Sequence, residues 1–280
     1  MNKRSSGMDI SIIIVNYNSG NLLSECIQSI IQNIKALDYE IIIVDNMSTD
    51  SSFSLCEKYD SSHIKLIQAG ANLGFSRANN LGASRAKGRV LHFLNPDTRI
   101  GPSLEQDYKV IMDDYSKGLH FVYVNPLEDR DGKIYYGRYP LPGTLNHIRY
   151  HVNQKRTKWY YIGASIIMST VDFEGIGKWN ELFYMYGEDA DLFCRINALK
   201  LKIVEMPSLI YHYGGGSSEN TYTNLQREIL IQKSLRTYRK SNGMGWVDFW
   251  AWQILVVLIF WKRPKRLWLQ VKTIMLSFKS

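Results

Sequence analysis

Apolar runs and helical periodicity alternate along the first third of the chain. Continuous apolar runs, typical of strands buried on both faces of a parallel sheet, occupy residues 11–15, 40–44, 64–67 and 89–94. Apolar residues recur at helical spacing over residues 22–36, and shorter helices are predicted over 51–59 and 72–86. This order predicts an α/β fold with right-handed crossovers and a mostly parallel, Rossmann-like sheet flanked by helices.

The pattern is less regular after residue 100. It predicts a helix over residues 103–116, strands over 119–124, 159–168 and 202–205, and a helix over 192–201. Residues 132–144 are rich in tyrosine and proline and predict an irregular loop, either a wall of a substrate pocket or ordinary surface packing. His147 and His151 have no accompanying carboxylate, and we interpret them as solvated polar residues.

Polar side chains follow three of the predicted strands at the point where each strand ends. They are Asn16 and Tyr17, Asp45 and Asn46, and Asn95 and Asp97. Parallel sheets bind ligands at the carboxyl ends of their strands, so Tyr17, Asp45 and Asp97 are expected on one edge. Arg77 joins them because its helix begins on the same side. Each residue alone fits an ordinary turn former or surface cation, but together the four predict a binding site.

Two common nucleotide-binding motifs are absent from the sequence. No glycine-rich dinucleotide motif follows the first strand, and no GxxxxGK[ST] run occurs. These absences exclude the Rossmann oxidoreductases and the P-loop NTPases. A nucleotide diphosphate would therefore be held by a metal ion and Arg77 instead of a glycine loop.

Three carboxylates, Glu188, Asp189 and Asp191, crowd the run from Tyr184 to Leu192. Acidic residues are favoured at a helix start by the helix dipole, so the three could simply cap a helix. Capping needs only one carboxylate, however, and adjacent like charges repel. Such crowding is useful where a carboxylate of raised pKa acts as a base or binds a ligand. The run by itself supports both interpretations equally.

Composition indicates a cellular compartment and an anionic partner. The three cysteines, Cys26, Cys56 and Cys194, show no metal-binding spacing and are interpreted as buried thiols in a reducing compartment. The net charge of +8 is concentrated in residues 225–280, which hold 11 Lys and Arg against 2 Asp and Glu. A nearly neutral body with a basic tail argues against nucleic-acid binding and indicates a local anionic partner for the tail.

The C-terminal region predicts two helices. Residues 224–240 predict an amphipathic helix, and residues 246–261 an apolar one with tryptophan at both ends. The second falls short of the ~20 residues needed to span a bilayer. Because the basic run 262–266 follows directly, we favour an interfacial helix on an anionic membrane surface. The alternative is a helical hairpin packed on the domain or on a second copy in a homo-oligomer.

Six motifs in a fixed order between residues 10 and 218 resemble family 2 glycosyltransferases, most of all the rhamnosyltransferase-like members that build bacterial surface polysaccharides. The motifs are VNYN (15–18), VDNMSTD (44–50), NLGFSRANN (72–80), LNPD (94–97), GEDADLFCR (187–195) and His212. The resemblance implies a glycosyltransferase A fold over residues 9–222, between a flexible N-terminus (1–8) and a C-terminal helical appendage (223–280). It also implies inverting transfer of a sugar, with rhamnose as the suggested one, from a dTDP- or UDP-sugar to a glycan or polyprenyl-linked acceptor.

The resemblance assigns the donor side of the site residue by residue. Tyr17 and Asp45 would contact the nucleobase, and Arg77 would contact the nucleotide. Asp97 would hold Mg²⁺ or Mn²⁺ between the two phosphates, with His212 as a further ligand. These assignments give the strand-end cluster a nucleoside-diphosphate sugar as its ligand.

On the acceptor side, the resemblance implies that Asp189 is the general base and that Asp191 and Glu188 contact the acceptor. Asn95 departs from the family pattern, because the usual Asp-x-Asp is Asn95-Pro96-Asp97 here. The chain therefore offers one carboxylate less to a metal, although Asn95 can still bond to a sugar hydroxyl.

Two other functions were weighed against the glycosyltransferase. The missing first Asp supports a non-catalytic subunit that binds a sugar nucleotide or a glycan. A nucleotidyltransferase on a similar sheet is disfavoured, because no glycine-rich phosphate loop follows the first strand. The expected location of the enzyme is cytoplasmic and peripheral, on the cytoplasmic face of the membrane.

Overall fold

The computed structural model describes residues 7–59, 61–214 and 223–259, together with Trp268 and Lys272. Most of the expected flexible N-terminus, most of the glycine-rich loop after His212 and the basic run 262–266 lie outside the described residues. The strands of the described chain are β1 Ile10–Asn16, β2 Tyr39–Asp45, β3 Ile64–Gln68, β4 Val90–Leu94, β5 Thr98–Ile100, β6 Phe121–Val124, β7 Leu127–Glu128, β8 Ile134–Tyr135, β9 Arg138–Pro140, β10 Trp159–Tyr161, β11 Ser165–Ser169, β12 Lys202–Glu205 and β13 Ile210–His212.

The helices of the same residues alternate with the strands as the periodicity predicts. They are α1 Leu22–Asn33, α2 Phe75–Ser84, α3 Leu104–Ser116, α4 Thr144–Val152, α5 Thr170–Ile176, α6 Glu188–Ala198, α7 Asn224–Ser241 and α8 Trp246–Ile259, with 3-10 turns at Ser54–Tyr59 and Gln154–Arg156.

A seven-stranded sheet in the order β12-β6-β11-β4-β1-β2-β3 forms the centre of the molecule. Strands β4, β1, β2 and β3 are parallel, and the register places Asn16 opposite Asp45 where two of them end. Strand β11 runs antiparallel to both β4 and β6. The expected mostly parallel α/β sheet is therefore confirmed, with one reversed strand in its middle.

The main sheet is buried on both faces, as its continuous apolar runs predict. On one face, Ile12 and Ile14 pack with Ile27 of α1 and Tyr108 of α3. On the other face, Ile13 belongs to a second core that includes the aromatic side chains of Phe93, Phe173 and Trp179. Burying each such side chain contributes about 1.5–3 kcal/mol relative to leaving it in water.

A smaller sheet, in the order β5-β13-β7-β8, lies beyond the carboxyl end of β4. Its strands are only two or three residues long, so they carry no periodic signal, and the sequence pattern missed them. Three further predictions need correction. The predicted strand 159–168 is two strands, β10 and β11, and the predicted irregular loop 132–144 contains β8 and β9 and leads into α4. Helix α6 begins at Glu188 instead of residue 192.

Helices α7 and α8 pack on the sheet domain through specific polar contacts. At the end of α7, Asn242 Nδ2 donates to Asp191 Oδ1 at 2.9 Å, and Ser234 Oγ donates to the Met185 carbonyl at 2.8 Å. The Thr144 N–H, at the start of α4, donates to the Asp248 carboxylate of α8 at 3.1 Å. No helix in the described ranges is long and apolar enough to cross a membrane.

The cysteines are free thiols in two packing environments, because Cys26 and Cys56 share one hydrophobic core and Cys194 packs against the other. Cys26 and Cys56 are buried as expected, and burial raises the pKa of both thiols. Cys194 is only half-buried, which corrects the expectation that all three would be buried.

Gly88 lies very close to the backbone of β1, so its substitution tests the packing of the sheet. A Cβ on Gly88 would lie 2.4 Å from the Ser11 nitrogen and 2.7 Å from the Ile10 carbonyl carbon. Gly88→Ala should therefore lower the free energy of unfolding by about 1–3 kcal/mol, as overpacking does. Gly101→Ala is the control, because a Cβ on Gly101 meets nothing within 4 Å. Equal stability of the two variants in urea titrations would contradict this packing.

Candidate active site

A cavity of about 280 Å³ lies at the carboxyl ends of β1, β2 and β4. Tyr17 lines it, directly after β1, and Asn95 and Asp97 line it after β4. Asp189 lines it from the first turn of α6, and His212 from the end of β13. Glu188 lines it as well, so the cavity brings together six of the residues that the sequence assigned to a site.

Asp45 is buried just below the cavity and is not among its lining residues. One carboxylate oxygen accepts from Asn16 Nδ2 at 2.7 Å, and the other accepts from the Ser48 N–H at 3.0 Å. These bonds join the ends of β1 and β2 and fix the turn that follows β2. In this structure Asp45 therefore supports the wall of the cavity through this turn instead of lining it.

Asn46 and Asn72 line the cavity, although the sequence did not assign them to the site. Asn46 Nδ2 donates to Asn72 Oδ1 at 3.0 Å, and Asn46 Oδ1 accepts from the Leu73 N–H at 2.7 Å. This amide pair holds the loop before α2 against the end of β2. The sequence placed Asn46 at a strand end and both residues in family motifs, but these signals did not single out either side chain.

The small sheet brings Asp97 and His212 together. Strand β13 pairs antiparallel with β5, so that His212 lies opposite Thr98, and the Tyr213 N–H donates to the Asp97 carbonyl at 2.8 Å. His212 Nε2 lies 3.5 Å from Asp97 Oδ1, and both side chains are buried. Tyr135 places its hydroxyl 3.4 Å from the other ring nitrogen of His212. The geometry thus unites two residues that are far apart in the sequence.

Asp97 and His212 offer a carboxylate and an imidazole as donors for a divalent cation. Within the described ranges no group of three or more His, Cys, Asp and Glu side chains could hold a metal ion. Mg²⁺ is commonly held by one or two protein groups while substrate phosphates and waters supply the other ligands. A pair of protein donors facing a cavity therefore fits Mg²⁺ or Mn²⁺ that binds together with a diphosphate.

Glu188 and Asp189 form a pair of carboxyls at the start of α6. Both line the cavity, and Glu188 is buried, with no hydrogen-bond partner for its Oε2 among the described residues. Burial and the neighbouring Asp189 charge raise the pKa of Glu188. Burial also raises the pKa of Asp189, whose Oδ1 accepts from the Ala190 N–H at 2.8 Å. Such a pair shares its protons, so one carboxyl can stay neutral while the other acts as a base.

Asp191 and Arg77 do not line the cavity. The Asp191 carboxylate accepts from Arg195 Nε at 2.9 Å and from Asn242 at the end of α7. Arg77 is half-exposed on α2, with its Nε 3.7 Å from a Glu181 oxygen. The structure therefore places the expected acceptor contact and the expected nucleotide contact outside the cavity.

A glycine contact positions the loop that leads to the carboxyl pair. The Phe75 N–H, at the start of α2, donates to the Tyr184 carbonyl at 2.8 Å. Gly74 makes this approach possible, because a Cβ there would lie 2.4 Å from the same carbonyl oxygen. The loop then passes through positive φ angles at Tyr186 (68°) and Gly187 (83°) before α6 begins. This contact thus holds the first turn of α2 against the loop that leads into α6, and both helix starts border the cavity.

Comparison with known proteins gives a family match over more than half of the chain. The model of Glycosyl transferase family 2 matches residues 11–174. GlyG of Streptococcus pneumoniae, a glycosyltransferase, is 24% identical over 212 residues, which are 73% of this chain and 70% of that protein. A poly(ribitol-phosphate) beta-glucosyltransferase of Bacillus spizizenii is 40% identical over 98 residues, 34% of this chain but only 16% of that protein.

Solved structures match the fold at low sequence identity. Residues 1–349 of Staphylococcus aureus TarS, crystallised in complex with UDP-GlcNAc, superpose with a TM-score of 0.59 at 16% identity. The match covers 88% of this chain and 70% of that one. TarS is a poly(ribitol-phosphate) beta-N-acetylglucosaminyltransferase, and the chain covers 22% of its full length in the sequence comparison. The expected glycosyltransferase A fold is confirmed.

Gly74→Ala tests the contact that holds the two helix starts together. Gly74 and Gly70 have similar positive φ angles, 78° and 74°, but only Gly74 has a neighbour within 4 Å of its would-be Cβ. Gly70→Ala should cost about 1–2 kcal/mol from backbone strain alone. Gly74→Ala should cost clearly more and should speed hydrogen exchange of the Phe75 amide. Equal losses in the two variants would show that the Tyr184 contact is unimportant.

The raised pKa of Glu188 predicts how its replacement changes stability with pH. Between its ordinary pKa and the raised folded pKa, the unfolded chain ionises this carboxyl while the folded protein keeps it neutral, so the carboxyl destabilises the fold progressively as pH rises through this range. Glu188→Gln should therefore raise the melting temperature by a few degrees at pH 8. The gain should shrink towards pH 5, where the unfolded chain begins to bind the proton as well and the two states differ less. A gain that is constant over this range, or that grows on acidification, would contradict a raised pKa.

Proposed function

Because the chain belongs to Glycosyl transferase family 2, with a match over residues 11–174, we propose that it transfers a sugar from a nucleoside-diphosphate sugar to a glycan or lipid-linked acceptor. The observation that carries the proposal is the meeting of two functional pairs in one cavity. Asp97 and His212 supply donors for a cation, and Glu188 and Asp189 supply carboxyls of raised pKa. Teichoic acid enzymes among the relatives favour surface-polymer synthesis as the process.

The donor binds at the carboxyl ends of β1, β2 and β4. Tyr17 stacks on or borders the nucleobase, and Asp45 supports this side by fixing the turn after β2. Asn46 and Asn72 supply amide groups at the cavity wall that suit a nucleobase edge or a ribose. UDP-GlcNAc bound to the structural neighbour TarS supports a uridine nucleotide as the first donor to test, with dTDP-sugars next. Rhamnose stays the sugar suggested by the sequence resemblance.

The diphosphate lies near Asp97 and His212 in this proposal. A Mg²⁺ or Mn²⁺ held by these two side chains would neutralise the charge that develops on the leaving diphosphate. Asn95 presents an amide beside them where the family usually has a carboxylate, and it is suited to a hydroxyl of the donor sugar. Arg77 is proposed to reach the nucleotide only from outside the cavity, because its guanidinium lies beside Glu181.

Transfer proceeds as a single inverting displacement. The acceptor hydroxyl oxygen bonds to the anomeric carbon as the bond to the diphosphate oxygen breaks, and the electron pair of that bond leaves with the diphosphate. Asp189 takes the hydroxyl proton, because it faces the cavity and its raised pKa brings it closer to the working pH. Glu188, the more deeply buried carboxyl, keeps its proton and can donate a hydrogen bond to a sugar hydroxyl. Asp191 would contact the acceptor only if α7 were displaced.

A non-catalytic binding subunit is the second candidate. Asn95 favours it, because the loss of one carboxylate weakens the metal site on which departure of the diphosphate depends. The two functions differ in one observable: an enzyme releases nucleoside diphosphate slowly even without an acceptor, and a binding subunit does not.

We place the protein on the cytoplasmic side of the membrane as a peripheral enzyme. The free thiols Cys26 and Cys56 are compatible with a reducing compartment. A polyprenyl-linked acceptor would make a peripheral position useful, because the reactive end of such an acceptor lies at the lipid surface.

Asp189→Asn is the experiment that tests the catalytic assignment. A thermal-shift screen of UDP-, dTDP- and GDP-sugars with Mn²⁺ first identifies the donor. The variant should then release nucleoside diphosphate roughly 10²–10⁴-fold more slowly, as loss of a general base predicts, while its affinity for the donor stays nearly the same. Asp113→Asn is the matched control, because Asp113 pairs with Lys117 on the exposed face of α3.

Either of two results would change the assignment. Normal turnover of Asp189→Asn would remove Asp189 from the mechanism. Stabilisation of the wild type by a donor without any release of nucleoside diphosphate would favour the binding subunit.

A further inference from the structure

Helix α8 has one buried face and one exposed face, and the exposed face is apolar. Phe249 and Gln253 are 2% and 3% exposed and pack inward. Val247, Ile254 and Leu258 are 85%, 57% and 57% exposed and recur at intervals of seven and four residues, which places them on a single outward stripe. An apolar stripe of this length on the outside of a helix indicates a surface that is covered by lipid or by another molecule.

Helix α4 carries a second outward stripe, in a region that the sequence pattern predicted to begin as an irregular loop. None of its nine residues is buried. Leu145, Ile148 and Val152 are 60%, 47% and 81% exposed and follow the i, i+3, i+7 spacing of one helical face. Packing within the chain therefore does not explain why this helix is apolar on its outer side.

The two helices are joined at their first turns. Helix α4 follows Gly143, which has no side chain to cap it, and Asp248 of α8 supplies the missing acceptor. The Asp248 carboxylate accepts from the Thr144 N–H at 3.1 Å, and Thr144 Oγ1 donates to the Asp248 carbonyl at 2.9 Å. The outward stripes of α4 and α8 thus belong to one connected patch, which we call the α4–α8 face.

The segments that contain the α4–α8 face are free of acidic side chains apart from Asp248. Residues 132–171 hold six Lys and Arg and no Asp or Glu, and residues 249–280 likewise hold six and none. Asp248 itself is occupied in capping α4. Lys155 and Arg156, exposed in the turn after α4, place two of these cations directly beside the stripe.

We propose that the α4–α8 face binds an anionic lipid bilayer, with the two apolar stripes in the boundary between headgroups and acyl chains and the flanking cations on the headgroups. Apolar stripes beside cations and tryptophan are the chemistry of interfacial helices. A second copy of the chain is a poor occupant, because a two-fold contact would oppose the same cations.

The position of α4 gives the lipid contact a consequence for catalysis, and this step rests on the proposed function. In the chain, helix α4 connects β9 to β10. These two strands pair with each other, and the rings of the paired residues Tyr139 and Tyr160 have centroids 5.7 Å apart. Tyr160 lies close enough to Asp189 for that charge to add to the effect of burial, which raises the tyrosine pKa. A bilayer on α4 would therefore contact the helix that joins these two strands, and one of the strands carries Tyr160 beside the proposed base.

Flotation of the full-length protein with lipid vesicles tests the α4–α8 face. Vesicles of phosphatidylcholine with phosphatidylglycerol should carry the wild type upward, and vesicles of phosphatidylcholine alone should carry far less. The triple variant Leu145→Gln, Ile148→Gln, Val152→Gln leaves α8 unchanged and should lower the partition coefficient at least about tenfold. The pair Lys155→Glu, Arg156→Glu should lower it by about tenfold or more, with a steep dependence on salt.

Val171→Gln with Leu199→Gln is the matched control, because these apolar side chains are 63% and 56% exposed outside the α4–α8 face. Equal flotation of this control and the wild type supports the proposal. Equal flotation of the α4 variants and the wild type would overturn it, as would indifference of the wild type to anionic lipid. If circular dichroism shows that the triple variant does not fold, the Lys155→Glu, Arg156→Glu variant becomes the deciding test of the proposal. This variant changes only exposed residues.

A second assay separates this proposal from the proposed function. Release of nucleoside diphosphate from the donor, measured in buffer without vesicles, should be unchanged in every α4 variant. Normal flotation without any release would remove the catalytic proposal and leave the membrane face standing. Normal release without flotation would remove the membrane face and leave the catalytic proposal standing.

Discussion

The antiparallel pairing of β5 with β13 is the contact on which the site depends. It closes the open carboxyl edge of the parallel strands and places His212 opposite Thr98, beside Asp97. Because β13 also runs beside β7, the pairing joins the part of the molecule after residue 120 to the parallel strands before residue 100. Without it, the ends of β1, β2 and β4 would form a shallow edge with one carboxylate, and no pair of donors would face the cavity.

The second pair, Glu188 and Asp189, has an electrostatic cost that other contacts offset. Two adjacent carboxyls in a buried place favour the neutral form and therefore destabilise the fold at neutral pH. The segment before them is held by the Phe75 bond to Tyr184 and by the Ser234 bond to Met185, so relaxation cannot move the pair into water. The raised pKa values persist because the surrounding backbone is fixed from two sides.

Sequence reasoning predicted the parts of this structure in which many residues share one signal. The strands of the parallel sheet are long apolar runs, so their positions and direction followed from the pattern. Strands β5, β7, β8 and β13 have two or three residues each, too few for any periodicity, and only the resemblance to a family linked Asp97 with His212. Asp191 shows a different limit. Residues two apart on a helix point about 200° apart, so it could not share the direction of Asp189 once α6 began at Glu188.

Because Asp189 and Asp191 point in different directions, the first turn of α6 contacts both the cavity and the end of α7. Asp189 faces the cavity, while Asp191 turns away to Arg195 and to Asn242 at the end of α7. The C-terminal helices are therefore fixed to the same turn that presents the carboxyl pair, and α8 is fixed in addition to α4 through Asp248. A composition change near residue 223 marks where the basic region starts, and α7 of this region bonds to residues of the sheet domain through Asn242 and Ser234. Helix α8 is thus connected to the site by two routes, one through α7 to Asp191 and one through α4 to the β9–β10 pair.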